Sequence, residues 1–279
     1  MPARSLLNRR AGTTQKDGQG RALPTHAMTR RRFYAPPEAF GNDGTSVELS
    51  PDETKHLRNV LRLKVGDEAY VFDGAGHEYR GEIAAISRDR TDIRIVQEVA
   101  TSAAESDLSL TMAVALLKGE KFDLVVQKLT ELGITSVIPI LTSRADVRLR
   151  SEDDADRKLV RWRRIVMEAT KQCGRARLMT IESPIALDPL VDRARDDGAL
   201  RLMFAERDGE SLSNIVSSQR APKNVTALIG SEGGWTDDEI SQARGAGWQI
   251  VTLSGRIMRA ETAAIACAAL LQHRFGDLN

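Results

Sequence analysis

The chain has 279 residues, enough for one large or two ordinary domains with real cores. Its formal charge of +1 sets 40 Lys and Arg against 39 Asp and Glu, so a nucleic-acid partner has to be met by a local basic patch rather than a global field. Two cysteines with no Cys-x-x-Cys and no His cluster argue against disulfide or zinc scaffolding, and no apolar run nears the roughly 20 residues that span a bilayer, so a soluble, cytoplasmic, metal-free protein is expected.

Residues 1–28 carry Arg4, Arg9, Arg10, Lys16 and Arg21 against Asp17, without the apolar core of a signal peptide, and read as a disordered extension. Met28 is an alternative start. Over 29–103 short strand-like runs follow one another at 47–49, 68–72, 79–83 and 92–96. They are parted by the hairpin chemistry of Val65-Gly66-Asp67 and Asp73-Gly74-Ala75-Gly76. Such spacing predicts a small β-barrel. One helix interrupts it from 51 to 61, with Ser50 as N-cap and Pro51 in the first position.

The Ala-, Ser- and Glu-rich stretch 100–107 has no periodicity and reads as a linker. Beyond it, over 107–279, apolar strands alternate with helical stretches. The expected order is strand 110–117, helix 121–132 closed by Gly133, strand 136–140 and helix 155–172 stopped by Gly174. Strands 200–204 and 225–229, helix 237–244, strand 249–253 and a final helix 261–274 follow. This alternation predicts an α/β domain with a parallel sheet and helices on both faces.

Two glycine-bearing loops stand at the ends of strands 225–229 and 249–253. The first is Ile229-Gly230-Ser231-Glu232-Gly233-Gly234-Trp235; the second runs from Leu253-Ser254-Gly255 through Arg256-Ile257-Met258-Arg259 to Ala260-Glu261-Thr262-Ala263. Carboxyl ends of strands are where open α/β sheets bind ligands, and glycine lets backbone groups approach closely. The capping box Thr236-Asp237-Asp238-Glu239 fixes the helix after the first loop. Alone, that loop matches neither dinucleotide nor triphosphate fingerprints and reads equally as a tight turn. Two such loops converging on one crevice point to an adenosine-like ligand.

Arg256 and Arg259, beside such a pocket, are candidates to bind phosphate or polarise a base, against the default of solvated arginines. Glu261, in a first helical turn, by default stabilises the helix macrodipole. Cys267 reads as a small buried hydrophobe in an Ala-rich helix that belongs to the core or a homodimer interface, and Cys173 as an inert thiol. Basic clusters recur at Arg30-Arg31-Arg32, at Lys55, Arg58, Arg62 and Lys64, at Arg144, Arg148 and Arg150, and from Arg157 to Arg164. Few aromatics interleave them, so phosphate contact is favoured over base stacking. His56 and His77 lack partners at metal spacing.

Several ordered motifs carry a resemblance from about residue 30 to the C-terminus. They are Arg31-Arg32-Phe33-Tyr34, His56-Leu57-Arg58-Asn59-Val60-Leu61-Arg62, Lys118-Gly119-Glu120-Lys121, Gln127-Lys128 with Glu131-Leu132-Gly133, Glu168-Ala169 with Gln172, and both glycine loops. Together they resemble the bacterial RsmE-type 16S rRNA uridine N3-methyltransferases of the SPOUT class. The resemblance implies a PUA-like β-barrel that grips RNA, then a SPOUT α/β domain with a deep trefoil knot, in a homodimer that binds S-adenosylmethionine. It implies methyl transfer to N3 of a specific uridine in 16S rRNA of the small ribosomal subunit. Leu228, Ile229, Gly230, Glu232, Gly233, Gly234, Leu253, Ser254, Gly255, Ile257 and Met258 would surround the cofactor. By placement beside the loops, Arg259 would stabilise the uracil anion with Glu261 orienting it, while Arg30, Arg31, Arg32, His56, Arg58, Arg62, Arg144 and Arg175 would hold the RNA; no metal is required.

The chain departs from the family pattern at Ser231 (usually Pro), Ala260 (usually Thr), Lys171 (usually Glu) and Gly255 (one place late), so side-chain roles are not carried over there. From the residues alone, two other readings stay open. One is a non-catalytic RNA-binding assembly factor; the other is a nucleotide-binding α/β enzyme with a small substrate.

Overall fold

The computed structural model describes residues 30–192, 198–217, 222–253 and 255–278; the expected extension 1–28 and the expected cofactor residue Ser254 lie outside them. The first sheet comprises β1 (Arg32–Tyr34), β2 (Ser46–Leu49), β3 (Glu68–Phe72), β4 (Glu78–Ile86) and β5 (Thr91–Val99), in the order β1-β3-β4-β5-β2. Strand β1 runs parallel to β3 and the other pairs are antiparallel. Phe33, Val47, Leu49, Leu57, Val71, Ile83 and Ile93 fill its interior. The sheet curls where the β4–β5 register shifts between Arg80 and Gly81, because a Cβ at Gly81 would lie 2.5 Å from Ile93.

Helix α1 (Pro51–Lys55) starts as expected, with Ser50 Oγ accepting from the Glu53 N–H at 3.3 Å. It does not continue as α-helix: His56–Val60 form a π turn that closes at Arg62, whose φ of 54° lies in the left-handed region.

The second sheet is built from β6 (Ser109–Ala115), β7 (Ser136–Leu141), β8 (Thr180–Ile181), β9 (Ile185–Ala186), β10 (Leu200–Phe204), β11 (Asn224–Ile229) and β12 (Gln249–Val251). Its order is β12-β10-β11-β6-β7-β8, with β9 also on β7, and every pairing is parallel. The helices are α2 (Lys121–Glu131), α3 (Glu152–Cys173), α4 (Leu187–Asp192), α5 (Leu212–Ser217), α6 (Asp237–Gly245) and α7 (Ala260–Phe275). Phe122, Val125, Leu129, Trp162, Cys267 and Leu271 place α2, α3 and α7 on one face. Leu187, Leu190, Ile240 and Ala243 place α4 and α6 on the other. Strand β10 is buried along its whole length, as a central parallel strand covered on both faces must be.

Helix α3 begins three residues before the expected 155, because Ser151 Oγ caps it by accepting from the Asp154 N–H. Trp162 is core: its ring lies 4.6 Å from that of Phe122 and its N–H donates to Asp123.

The barrel meets α3 at the helix's carboxyl end. Arg32 donates from Nη1 to the carbonyls of Thr170 and Lys171, each at 3.1 Å, and from Nη2 to that of Arg175 at 2.7 Å, while Nε reaches Glu78 at 3.1 Å. Arg175 binds Glu105 and the carbonyls of Thr130 and Ile134. Both arginines were expected to face RNA. At 8% and 4% exposure, with their donors engaged internally, Arg32 instead joins the barrel to the end of α3 and Arg175 ties Glu105 to the end of α2.

Candidate active site

Strand β10 lies between β11 and β12 in the sheet, so its end and the two loops that follow its neighbours form three walls of one cavity. The cavity holds about 450 Å³ and is lined by Phe204 to Glu206, residues 229–232, residues 251–253 and 255–260, Ala263 and Cys267. That is within the roughly 300–1,000 Å³ range of small-molecule sites. The β10 wall escapes sequence reading, since a continuous apolar run does not show which loops it will stand between.

Each loop is held by packing the sequence does not advertise. Trp235 is fully buried and donates from Nε1 to the Phe204 carbonyl at 2.8 Å. A Cβ on Gly230 would stand 3.1 Å from that indole, and one on Gly233 2.8 Å from the Arg144 carbonyl. Gly234 has a φ of 65° and sits against the Glu206 carboxylate. The capping box is present as expected, and Glu239 also accepts from the Ser143 N–H at 2.9 Å. Arg144, expected at the RNA, is exposed but donates to the Trp235 carbonyl at 3.0 Å, strapping the loop after β7 to the first glycine loop.

The expected cofactor residues divide by orientation. Ile229, Gly230, Glu232, Leu253, Gly255, Ile257 and Met258 line the cavity, but Leu228 packs into the core on the opposite face. Successive strand residues point to opposite sides of a sheet, so Leu228 does not line the cavity. Gly233 and Gly234 stand behind the lining and shape it.

Among the described residues the Arg259 side chain forms no ion pair or hydrogen bond; it is exposed at the rim as N-cap of α7. Glu261 faces Lys121 at 3.8 Å, and the same ammonium donates to Glu232 at 2.8 Å. That hydrogen bond raises the Lys121 pKa. Burial opposes ionisation of Glu232, yet the bond from Lys121, a backbone N–H and the nearby charge hold its carboxyl below the usual range. Ser231 Oγ, on the cavity wall, and Glu261 Oε2 are buried without a hydrogen-bond partner among the described residues. Orphaned polar groups beside close-packed glycines fit a polar ligand with an adenosine-sized body.

Cys267 forms part of the apolar floor, its thiol pushed up to about 12 by burial; burial likewise raises Cys173. Neither is a nucleophile at neutral pH. A larger open groove between α2 and α3, of about 940 Å³, is lined by Lys121, whose partner Glu232 lines the cavity.

On the barrel, Arg31, Arg58 and Arg62 are exposed. Arg58 donates to the carbonyls of Ser87 and Arg88, Arg30 pairs with Glu78 at 3.2 Å and lies over the Tyr70 ring, and half-buried His56 packs edge-on against Phe33. His77, without a partner at metal spacing, makes a surface contact with Glu98 at 2.9 Å, which raises its pKa.

Residues 104–272 match the RNA methyltransferase domain family, and residues 49–96 match the RNA methyltransferase PUA domain. The ribosomal RNA small subunit methyltransferase E of Synechocystis is 32% identical over 88% of this chain and 78% of its own length. The chain belongs to the RsmE family of RNA methyltransferases. The corresponding protein of Rickettsia conorii is 31% identical over 81% of this RsmE-family chain and 89% of its own. Two solved structures share the fold at 31% identity. A Legionella pneumophila methyltransferase in complex with S-adenosylmethionine superposes with a TM-score of 0.80, covering 89% of this chain and 99% of that one. The ribosomal RNA small subunit methyltransferase E of Neisseria gonorrhoeae, bound to S-adenosylmethionine, gives 0.79 and covers 90% and 100%. The fold is therefore a PUA-like curled sheet followed by a SPOUT-type parallel α/β domain.

Proposed function

We propose that this RsmE-family chain transfers a methyl group from S-adenosylmethionine to N3 of a uridine in 16S rRNA of the small ribosomal subunit. The observation that carries the reading is the convergence of both glycine loops and the end of β10 on one cavity, with Arg259 at its rim free of an acidic partner among the described residues. S-adenosylmethionine, when bound, supplies an electrophilic methyl group on a sulfonium that is a good leaving group. The chain's part is to hold, orient and handle charge. Backbone N–H and C=O groups of 229–232, 253 and 255–258 hold the adenosine portion. Arg259 stabilises the uracil anion that forms when N3 loses its proton. Glu261 faces Lys121 at 3.8 Å rather than Arg259, and so leaves that guanidinium to the base.

In this reading residues 29–103 grip the RNA through Arg31, Arg58 and Arg62, and 107–279 carry the transfer. The enzyme acts as a homodimer, for which Ile257 and Leu270, 90% and 41% exposed, are apolar groups left outside the core. The substrate implies a cytoplasmic enzyme.

Single-turnover methylation of assembled 30S subunits from a strain lacking the gene tests this. Arg259→Ala is expected to slow the step by about 10²–10³-fold. Calorimetric binding of S-adenosylhomocysteine should change little. Wild-type protein that leaves uridine N3 unmethylated, or an Arg259→Ala rate equal to wild type, would overturn the reading or the assigned role respectively.

A further inference from the structure

Lys121, the first residue of α2, is the one basic side chain in contact with both ends of the candidate site among the described residues. Its Nζ donates to Glu232 of the first glycine loop at 2.8 Å and stands 3.8 Å from Glu261 in the first turn of α7. Its charge also feels Arg259. The sequence resemblance places Lys121 in a motif but gives it no role.

The charges around it explain what it does. Glu232 lines the cavity where a uracil anion has to form, and Glu261 stands in the first turn of α7 next to its lining residue Ala260. Either would repel that anion, and either would compete with it for the Arg259 guanidinium. Of the other charges nearby, Asp146, which acts on Glu232, pairs with Lys118 at 2.7 Å, Glu120 and Asp123 both face Arg161, and the cavity lining itself adds Glu206 on the β10 wall and Arg256 in the second loop. Glu261 Oε2 is buried without a hydrogen bond, so the ammonium opposite is what balances its charge.

We propose that Lys121 is a positioning residue for methyl transfer: it occupies Glu232 and Glu261 together, so that Arg259 stays available to the uracil anion. The role rests on the function proposed above. N3 loses its proton to solvent and its lone pair takes the methyl group as the carbon–sulfur bond breaks; Lys121 touches none of these atoms. It acts by removing two competing negative charges and by tying α2 to both loops. Retention of charge on both partners is supported by their mutual hydrogen bond, which raises the Lys121 pKa and helps lower that of Glu232.

The test uses the full-length enzyme, undermethylated 30S subunits, and the variants Lys121→Gln and Lys121→Arg. Lys121→Gln is expected to slow single-turnover methylation by about 10–100-fold, less than the roughly 10²–10³-fold for losing a donor that itself faces the anion. Its rising pH limb should move to higher pH, because an uncompensated carboxylate disfavours the anion and N3 then holds its proton more tightly. S-adenosylhomocysteine titration should show near-wild-type affinity, and Lys121→Arg should restore most of the rate and the position of the limb. A Lys121→Gln enzyme with wild-type rate and pH profile overturns the role. A rate loss accounted for by weaker S-adenosylhomocysteine binding, with no movement of the limb, overturns it as well. Wild-type enzyme that leaves N3 unmethylated overturns the underlying function, whereas a wild type that methylates alongside an equal Lys121→Gln overturns only the role of Lys121.

Discussion

Arg32 and Glu78 form an ion pair at 3.1 Å in the interior of the molecule, with side chains 5% and 0% exposed, and the same guanidinium grips the last carbonyls of α3 across the domain boundary. A cation from the barrel thus caps a helix of the methyltransferase domain, where the macrodipole favours positive charge.

Arg32→Ala would leave Glu78 buried with its Arg32 partner gone and α3 with loose carbonyls. Removing one partner of a buried pair costs about 3–5 kcal/mol. Urea unfolding should show that loss, and the double variant Arg32→Met with Glu78→Gln should recover part of it. A single variant of wild-type stability would contradict the assignment.

Arg62 offers a way to separate strain from function. Its left-handed φ of 54° suits glycine better than arginine, yet its side chain is exposed beside Arg58. Arg62→Gly should therefore unfold no earlier than wild type in a thermal melt while binding 16S rRNA more weakly. The salt dependence of binding should also flatten, by about 0.7–0.9 in the log–log slope for one lost phosphate contact. Unchanged RNA affinity would remove Arg62 from the RNA surface.

Gly233 is set by proximity rather than by backbone angle. An added Cβ would lie 2.8 Å from both Cβ and the carbonyl oxygen of Arg144, so Gly233→Ala must displace the first loop from its strap. Affinity for S-adenosylhomocysteine should fall by about tenfold or more, each tenfold corresponding to about 1.4 kcal/mol. Gly245→Ala, where nothing lies within 4 Å, is the control and should bind normally.

Glu53 makes folding stability pH-dependent. Burial raises its pKa, with the Lys171 ammonium at 2.6 Å only partly countering. The folded protein therefore holds this proton more tightly than the unfolded chain does. Stability from this group declines as pH rises from the ordinary Glu value through the raised folded one. Glu53→Gln removes that decline, so the melting temperature of the variant minus that of wild type should grow across mild acid and then level off. A constant difference would show that burial does not perturb Glu53. The same pair gives Lys171 its place, as a cation for the barrel's buried carboxylate.

Local signals carried far in this chain. The starts of α1, α3 and α6 are set by Ser50, Ser151 and Thr236, each bonding within its own turn, and two of these were legible from residue type and spacing. The alternation of apolar strands and helices likewise determined a parallel α/β domain, and glycines at strand ends marked both loops of the site. Other features depend on contacts distant in sequence. Strand β1, three residues beside arginines, shows no alternation of its own and exists through pairing with β3. Arg32 and Arg175 read as surface charge because their partners lie tens of residues or more away. Residue type and spacing alone thus determined where α1 and α6 start and which loops bear glycine. Only the tertiary structure decided which strand stands between those loops, that Ile229 rather than Leu228 faces the cavity, and that Lys121 bridges its two ends, because burial and charge pairing depend on neighbours brought together by folding.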